Sequence, residues 1–148
     1  MRKRMLHLWI RAEQRKNEKR VGITPQDASK LICKGIKVTV EESADRIIST
    51  EEYHKVGCKI TNQHSWPKAP KDAVILGLKE LSEDIERLEH KHVMFGHAFK
   101  GQTAGLKLLK KFKVGKGLLY DLEYLTDPEG RRLAAFGYWA GYSGAAVS

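Results

Sequence analysis

Cysteine is scarce: Cys33 and Cys58 are the only two in 148 residues. Their spacing suits neither a disulfide framework nor a thiolate metal site, so both read as reduced, structural thiols. Long apolar runs are missing as well. Nothing approaches the ~20 apolar residues of a membrane span. The basic start Met1-Arg2-Lys3-Arg4 is followed only by residues 5–10 before Arg11, which is too short for a secretory signal. These absences point to a cytoplasmic protein with no membrane partner. Acidic residues are outnumbered, 18 Asp and Glu against 27 Lys and Arg, and the resulting net charge of +9 asks for an anionic partner. No Gly-x-Ser-x-Gly elbow or phosphate loop occurs. Gly115-Lys116-Gly117-Leu118-Leu119-Tyr120 supplies two glycines of a dinucleotide fingerprint, but Tyr stands at the third position and the order is helix then strand, the reverse of what that fingerprint needs. His90-Lys91-His92 has no third ligand at a matching spacing, so no metal site is expected.

What is present reads as one folded domain spanning 1–148. Hydrophobic residues make up 41% and charged residues 30%, and a chain of this length buries roughly 70% of its unfolded surface. Charge alone does not choose among nucleic acid, a membrane surface and a small carboxylate- or phosphate-rich molecule. The basic residues before Val21 are interleaved with Glu13 and Glu18 rather than with stacking aromatics, which disfavours a nucleic-acid arm. The lysines at 107, 110, 111, 113 and 116 share a helical pattern with Leu106, Leu109 and Phe112, and read as its solvated face.

Strand-like and helix-like segments alternate, as an α/β sheet requires. Residues 5–10 form a first strand. Thr24 caps a helix with Pro25 at its first position, Asp27 at its third and Gly35 just past its end, and Ala28, Leu31 and Ile32 give it one apolar face. Residues 36–40 alternate as a second strand, Thr50 can cap a short helix over 51–56, and Gly57 turns the chain into 58–60. Two prolines make 64–71 a loop. Continuous apolar runs at 73–78 and 93–96 suit strands buried on both faces, and the charged stretch between them fits a short helix or an extended connection. A helix over 105–113 precedes a strand over 118–125. Asp127-Pro128-Glu129-Gly130 is a turn signal that joins this strand to 131–136 as an antiparallel hairpin. Small residues at helical spacing in 137–148 predict a tightly packed helix. The expected fold is an open, mostly parallel sheet flanked by helices, Rossmann-like or flavodoxin-like, with a C-terminal antiparallel hairpin.

The two buried runs end in Lys79-Glu80 and in His97-Ala98-Phe99-Lys100. As parallel strands they would bring their carboxyl ends to the edge where open α/β sheets bind ligands, so Lys79 and His97 would face one crevice. Both side chains can exchange protons near neutral pH in a suitable environment, which makes them a candidate base and acid. On these runs alone, a surface lysine and a satisfied histidine at strand ends remain an equal alternative.

Several segments together carry a family resemblance: Leu6-His7-Leu8, Arg11-Ala12-Glu13, Glu18, Arg20, Thr24-Pro25, Gly77-Leu78-Lys79-Glu80, Phe95-Gly96-His97, Lys100, Leu119-Tyr120-Asp121-Leu122-Glu123 and residues 130–137 beginning Gly130-Arg131-Arg132. The chain resembles the amino-terminal domain of the NAD-dependent, lysine-forming saccharopine dehydrogenases and, more distantly, alanine dehydrogenase and the transhydrogenase amino-terminal domain. That resemblance implies oxidative deamination of saccharopine to L-lysine and 2-oxoglutarate. It makes Lys79 the base at the secondary amine and His97 the acid/base of imine hydration, with Glu80 and Glu123 as carboxylates favouring their charged forms. Arg20 and Arg132 would fork onto substrate carboxylates. Gln102 and Phe136 would contact substrate, with Arg15, Glu18 and Lys100 lining the same site. Arg131 would face the cofactor, NAD, which the resemblance assigns mainly to a dinucleotide-binding domain absent from this chain. The chain alone is therefore expected to be inactive, and a surface left open could be covered by self-association. The alternative is a stand-alone module that binds an amino acid or another small anion without turnover, or a domain closer to alanine dehydrogenase.

Overall fold

The computed structural model describes residues 5–99, 101 and 103–147. Six strands form one sheet in the order β3-β2-β1-β4-β5-β6. They are β1 (His7–Ile10), β2 (Lys37–Glu41), β3 (Lys59–Thr61), β4 (Val74–Leu76), β5 (Lys91–Met94) and β6 (Leu118–Asp121). Every pairing is parallel, with Ile10 level with both Val40 and Leu76, and Met94 level with Asp121. This is the strand order of the doubly wound dinucleotide-binding folds, in which the chain reverses its direction of travel between β1 and β4.

Helices cover both faces because successive strand residues point to opposite sides. On one side Ile10, Val38, Val40 and Leu76 pack with Ala28, Leu31 and Ile32 of α1 (Pro25–Cys33) and Tyr53 of α2 (Thr50–Lys55). On the other, Trp9, Ile75 and Met94 pack with Trp66, Leu88 and with Phe112 of α3 (Thr103–Gly115). Helix α1 starts as its sequence dictates: Thr24 accepts the Asp27 amide through its hydroxyl, and Gly35 leaves the helix at φ +80°. Helix α2 begins one residue earlier than expected, with Ser49 as its cap and Thr50 inside it. In α3 the packed positions are Gly105, Leu108, Phe112 and Gly115, while Leu106 is exposed, so the apolar stripe is rotated from the one read off Leu106 and Leu109.

The expected C-terminal hairpin of 118–125 with 131–136 is not found as two paired strands. Helix α3 carries the chain back across the sheet, so β6 joins it parallel to β5. The Asp121 carboxylate then accepts the Glu123 amide and bends 122–124 into a single 3₁₀ turn off the sheet. Past the turn the chain pairs back only briefly, through one antiparallel bridge between Thr126 and Arg132 flanked by Leu133 N–H to the Leu125 carbonyl and Asp127 N–H to the Arg131 carbonyl, both at 2.9 Å. Residues 81–90 are irregular, and β5 begins at Lys91, which puts His92 inside the sheet. The tail does form a helix, α4 (Gly137–Val147), but residues 142–146 are exposed rather than tightly packed. No helix among the described residues is long and apolar enough to cross a membrane.

Candidate active site

Where strand order reverses, the loops after β1 and β4 leave in opposite directions and open a crevice at the carboxyl edge. Arg11, Glu13, Glu18, Arg20, Arg46 and Gly77 line it. Its free volume is about 10 Å³, about that of one water, because ion pairs fill it. A larger groove of about 670 Å³ lies beside β6, lined by Val93, Phe99, Leu119, Tyr120 and Tyr124 among others. It is mainly apolar, with Asp121 its one ionisable carboxylate, so the convergent charged chemistry is at the switch point and its β5 flank.

The loop after β1 presents Glu18 and Arg20 as a two-pronged pair. Arg20 Nε donates to Glu18 Oε1 at 2.9 Å and Nη2 donates to Oε2 at 2.7 Å. Its own amide adds a third bond to Oε1 at 3.0 Å. These bonds, with help from the charges of Arg20 and Lys79, hold the Glu18 carboxyl down at about 2, so it is ionised throughout the physiological range. The face of Arg20 lies 4.7 Å from the Phe136 ring centroid. Phe136 packs on Phe95 at 6.0 Å, and Phe95 stacks on His97 at 6.3 Å. His97 Nδ1 is 3.8 Å from Glu123 Oε1, which also accepts from Arg132 Nη2 at 3.0 Å. A continuous path therefore runs from Glu18 to Arg132, with an imidazole between two guanidiniums.

His97 holds φ +47°, a left-handed conformation uncommon outside glycine. Asp121 supports that turn, since its Oδ1 accepts from the amides of both Gly96 and Glu123 at 3.2 and 3.0 Å. Lys79 is half-buried, three residues beyond the end of β4, and close enough to lower the Glu18 pKa through its charge. Glu80 turns away to an exposed pairing with Arg15 at 3.5 Å, a contact worth little in water. Arg131 is exposed and pairs with Asp127 at 2.8 Å and Glu129 at 3.5 Å. Lys100 and Gln102 lie outside the described residues. The structure thus gathers Glu18, Arg20, Phe136, His97, Glu123 and Arg132, sets Lys79 close by, and places Arg15, Glu80 and Arg131 toward the rim.

Sequence reasoning missed the groups that hold this edge together. The fully buried Glu41 carboxylate accepts from Trp9 Nε1 (3.0 Å) and from the amides of Ala12 (2.8 Å), His64 (2.9 Å) and Trp66 (2.6 Å), tying the loops after β1 and β3 to the end of β2. The available signal was positional: Arg11, Glu41 and Asp121 each stand where an apolar strand run gives way to charge. Among the described residues, no group of three or more His, Cys, Asp or Glu is arranged to hold a metal.

Residues 9–143 match the alanine dehydrogenase/PNT N-terminal domain family. The chain belongs to that family. A relative from Emericella nidulans named saccharopine dehydrogenase [NAD(+), L-lysine-forming] is 50% identical over 142 residues, covering 95% of this chain and 38% of its own length. Another of the same name from Schizosaccharomyces pombe is 46% identical over 143 residues, covering 96% and 39%. The chain therefore spans less than two fifths of these relatives. A solved L-alanine dehydrogenase superposes with a TM-score of 0.66 at 16% identity, over 85% of this chain and 35% of that one, which supports the shared fold. As an alanine dehydrogenase/PNT N-terminal domain, the chain carries its charged cluster along the carboxyl edge of the sheet, from the switch point to the ends of β5 and β6.

Proposed function

We propose that this chain is the substrate-binding, proton-handling domain of an NAD-dependent, L-lysine-forming saccharopine dehydrogenase. The observation that carries the reading is the path from Arg20 through Phe136, Phe95 and His97 to Glu123 and Arg132. Arg20 and Arg132 sit at its two ends and fork onto carboxylates of saccharopine, a use of the net positive charge that guanidinium geometry suits. Arg20 exchanges part of its bond to Glu18 for the substrate. Lys79 takes a proton from the substrate's secondary amine. His97 moves the protons of imine hydration and of collapse to lysine and 2-oxoglutarate, with Glu123 offering its charge to the imidazolium. Phe136 covers the site beside Arg20, Gln102 and Lys100 contribute further substrate contacts, Arg15 and Glu80 set the field at the rim, and Arg131 faces the cofactor.

The dinucleotide does not fit this chain's own helix terminus. Thr24 already caps α1, and Asp27 places a negative charge in its first turn, where a pyrophosphate would need free amides. NAD belongs to another part of the protein, and the hydride transfer is assigned to none of these residues. The test is steady-state turnover of lysine and 2-oxoglutarate with NADH by a protein carrying this domain and its dinucleotide-binding portion. Lys79→Met and His97→Gln should each lose about 10² to 10⁴ in turnover. Arg20→Ala and Arg132→Ala should chiefly raise KM. Near-parental turnover in both Lys79→Met and His97→Gln would overturn the reading.

A further inference from the structure

One ion pair from the loop after β1 grips the main chain of Lys79 on both sides. The Arg11 side chain is fully buried, and its Nη1 donates to Glu13 Oε2 at 3.1 Å. Its Nη2 donates to the Lys79 carbonyl. The Glu13 carboxylate accepts the Leu78 amide at 2.6 Å and the Lys79 amide at 3.1 Å. Gln14 extends the grip by accepting the Ser82 amide at 2.9 Å. At Gly77 a Cβ would fall 2.2–2.5 Å from the Arg11 guanidinium, so that group lies directly against the chain leading to Lys79.

The need for such a grip follows from where the strand stops. β4 ends at Leu76, and the pairing with the β5 side continues only as far as Phe95 donating to the Leu78 carbonyl. Lys79 is the first residue whose own N–H and C=O have no strand to bond to, and Arg11 and Glu13 take both. Neither is needed to hold β1 in the sheet, since β1 has ladders on both edges.

We infer that Arg11 and Glu13 are positioning residues for Lys79: the pair fixes the backbone from which the proposed base reaches the crevice. The inference rests on the reading of Lys79 as that base. A displacement of about 1 Å at a reacting group can cost about 10²-fold in rate, so the latch acts on turnover rather than on substrate affinity. Glu13→Gln keeps the size of the side chain but sets an amide donor among the N–H groups of Arg11 and Lys79.

Two measurements on the protein carrying this domain test it. Hydrogen–deuterium exchange followed by mass spectrometry should show Glu13→Gln and Arg11→Lys speeding exchange at 77–82 by about tenfold or more, the loss of one hydrogen bond's protection, with β1 and β2 unchanged. Steady-state kinetics should show kcat falling by about 10²-fold with KM within about twofold, and the limb of the pH profile that vanishes in Lys79→Met should move. If Glu13→Gln loosens β1 and β2 as well, Glu13→Asp, which keeps the charge and shortens the reach by one methylene, decides by the same two readings. Unchanged exchange at 77–82 overturns the inference. So does a parental kcat and pH profile in Glu13→Gln beside a crippled Lys79→Met, an outcome that leaves Lys79 as the base. A near-parental Lys79→Met would instead overturn the base assignment and the positioning role with it.

Discussion

His92→Phe should flatten the acid limb of this protein's stability. His92 is 1% exposed on β5, edge-on to Trp66 at 5.0 Å and to Phe112 at 5.5 Å, with no hydrogen-bond partner for Nε2 among the described residues. Burial first, then the charges of Arg11 and His90, push its pKa from 6.5 down to about 3. In that window the unfolded chain binds a proton that the folded chain refuses. The stability from a neutral His92 is therefore complete above pH 6.5 and is lost as pH falls toward 3. Between about pH 7.5 and pH 5 the loss comes to about 2 kcal/mol, at ~1.4 kcal/mol per pH unit below the unfolded pKa. His7 is shifted the same way, by burial and by Lys37, and adds to the slope. Glu18 contributes little there, since its own window runs from 4.5 down to about 2. Phenylalanine keeps the edge-to-face contacts and removes the titration. Urea unfolding of parent and His92→Phe at the two pH values should show the variant losing about 2 kcal/mol less on acidification. Equal losses would refute the argument, and would mean that His92 is protonated in place or that the unfolded state is not its reference.

Two further outcomes follow from the site. Arg20→Ala should let the Glu18 carboxyl climb from about 2 toward its ordinary 4.5, because the Arg20 hydrogen bonds are the largest cause of the depression. A carbon-detected NMR titration of Glu18 reads this directly, and an unmoved midpoint would mean that Lys79 or another cation holds it down. Calorimetric titration of the 148-residue chain with NAD should give no micromolar binding, since Thr24 and Asp27 occupy the helix terminus that a pyrophosphate would use; micromolar affinity would mean that a cofactor site exists on these residues.

Local rules made much of the framework legible. Thr24, Pro25, Asp27 and Gly35 mark both ends of α1, and the apolar runs at 73–78 and 93–96 do hold strands. Strand limits and partners were less legible. β4 ends at Leu76 and β5 starts at Lys91, because ladder bonds, and not hydrophobicity, set where a strand stops. The 127–130 turn was correctly read as a turn, but the antiparallel pairing it closes is one bridge long, since β6 is taken into the parallel sheet beside β5 by α3 crossing over.

The sequence by itself determined the alternation of strands and helices, the charged residues at strand ends, and a set of motifs specific enough to place the chain beside the saccharopine dehydrogenases. Those features are local, written in side-chain period, caps and turn residues. Only the tertiary structure decided which strand ends meet. Glu13 reaches Leu78 across 65 residues, and Glu41 reaches Ala12 across 29. Such partners are chosen by sheet order, and a buried carboxylate looks in sequence like any solvated one until the fold removes its water.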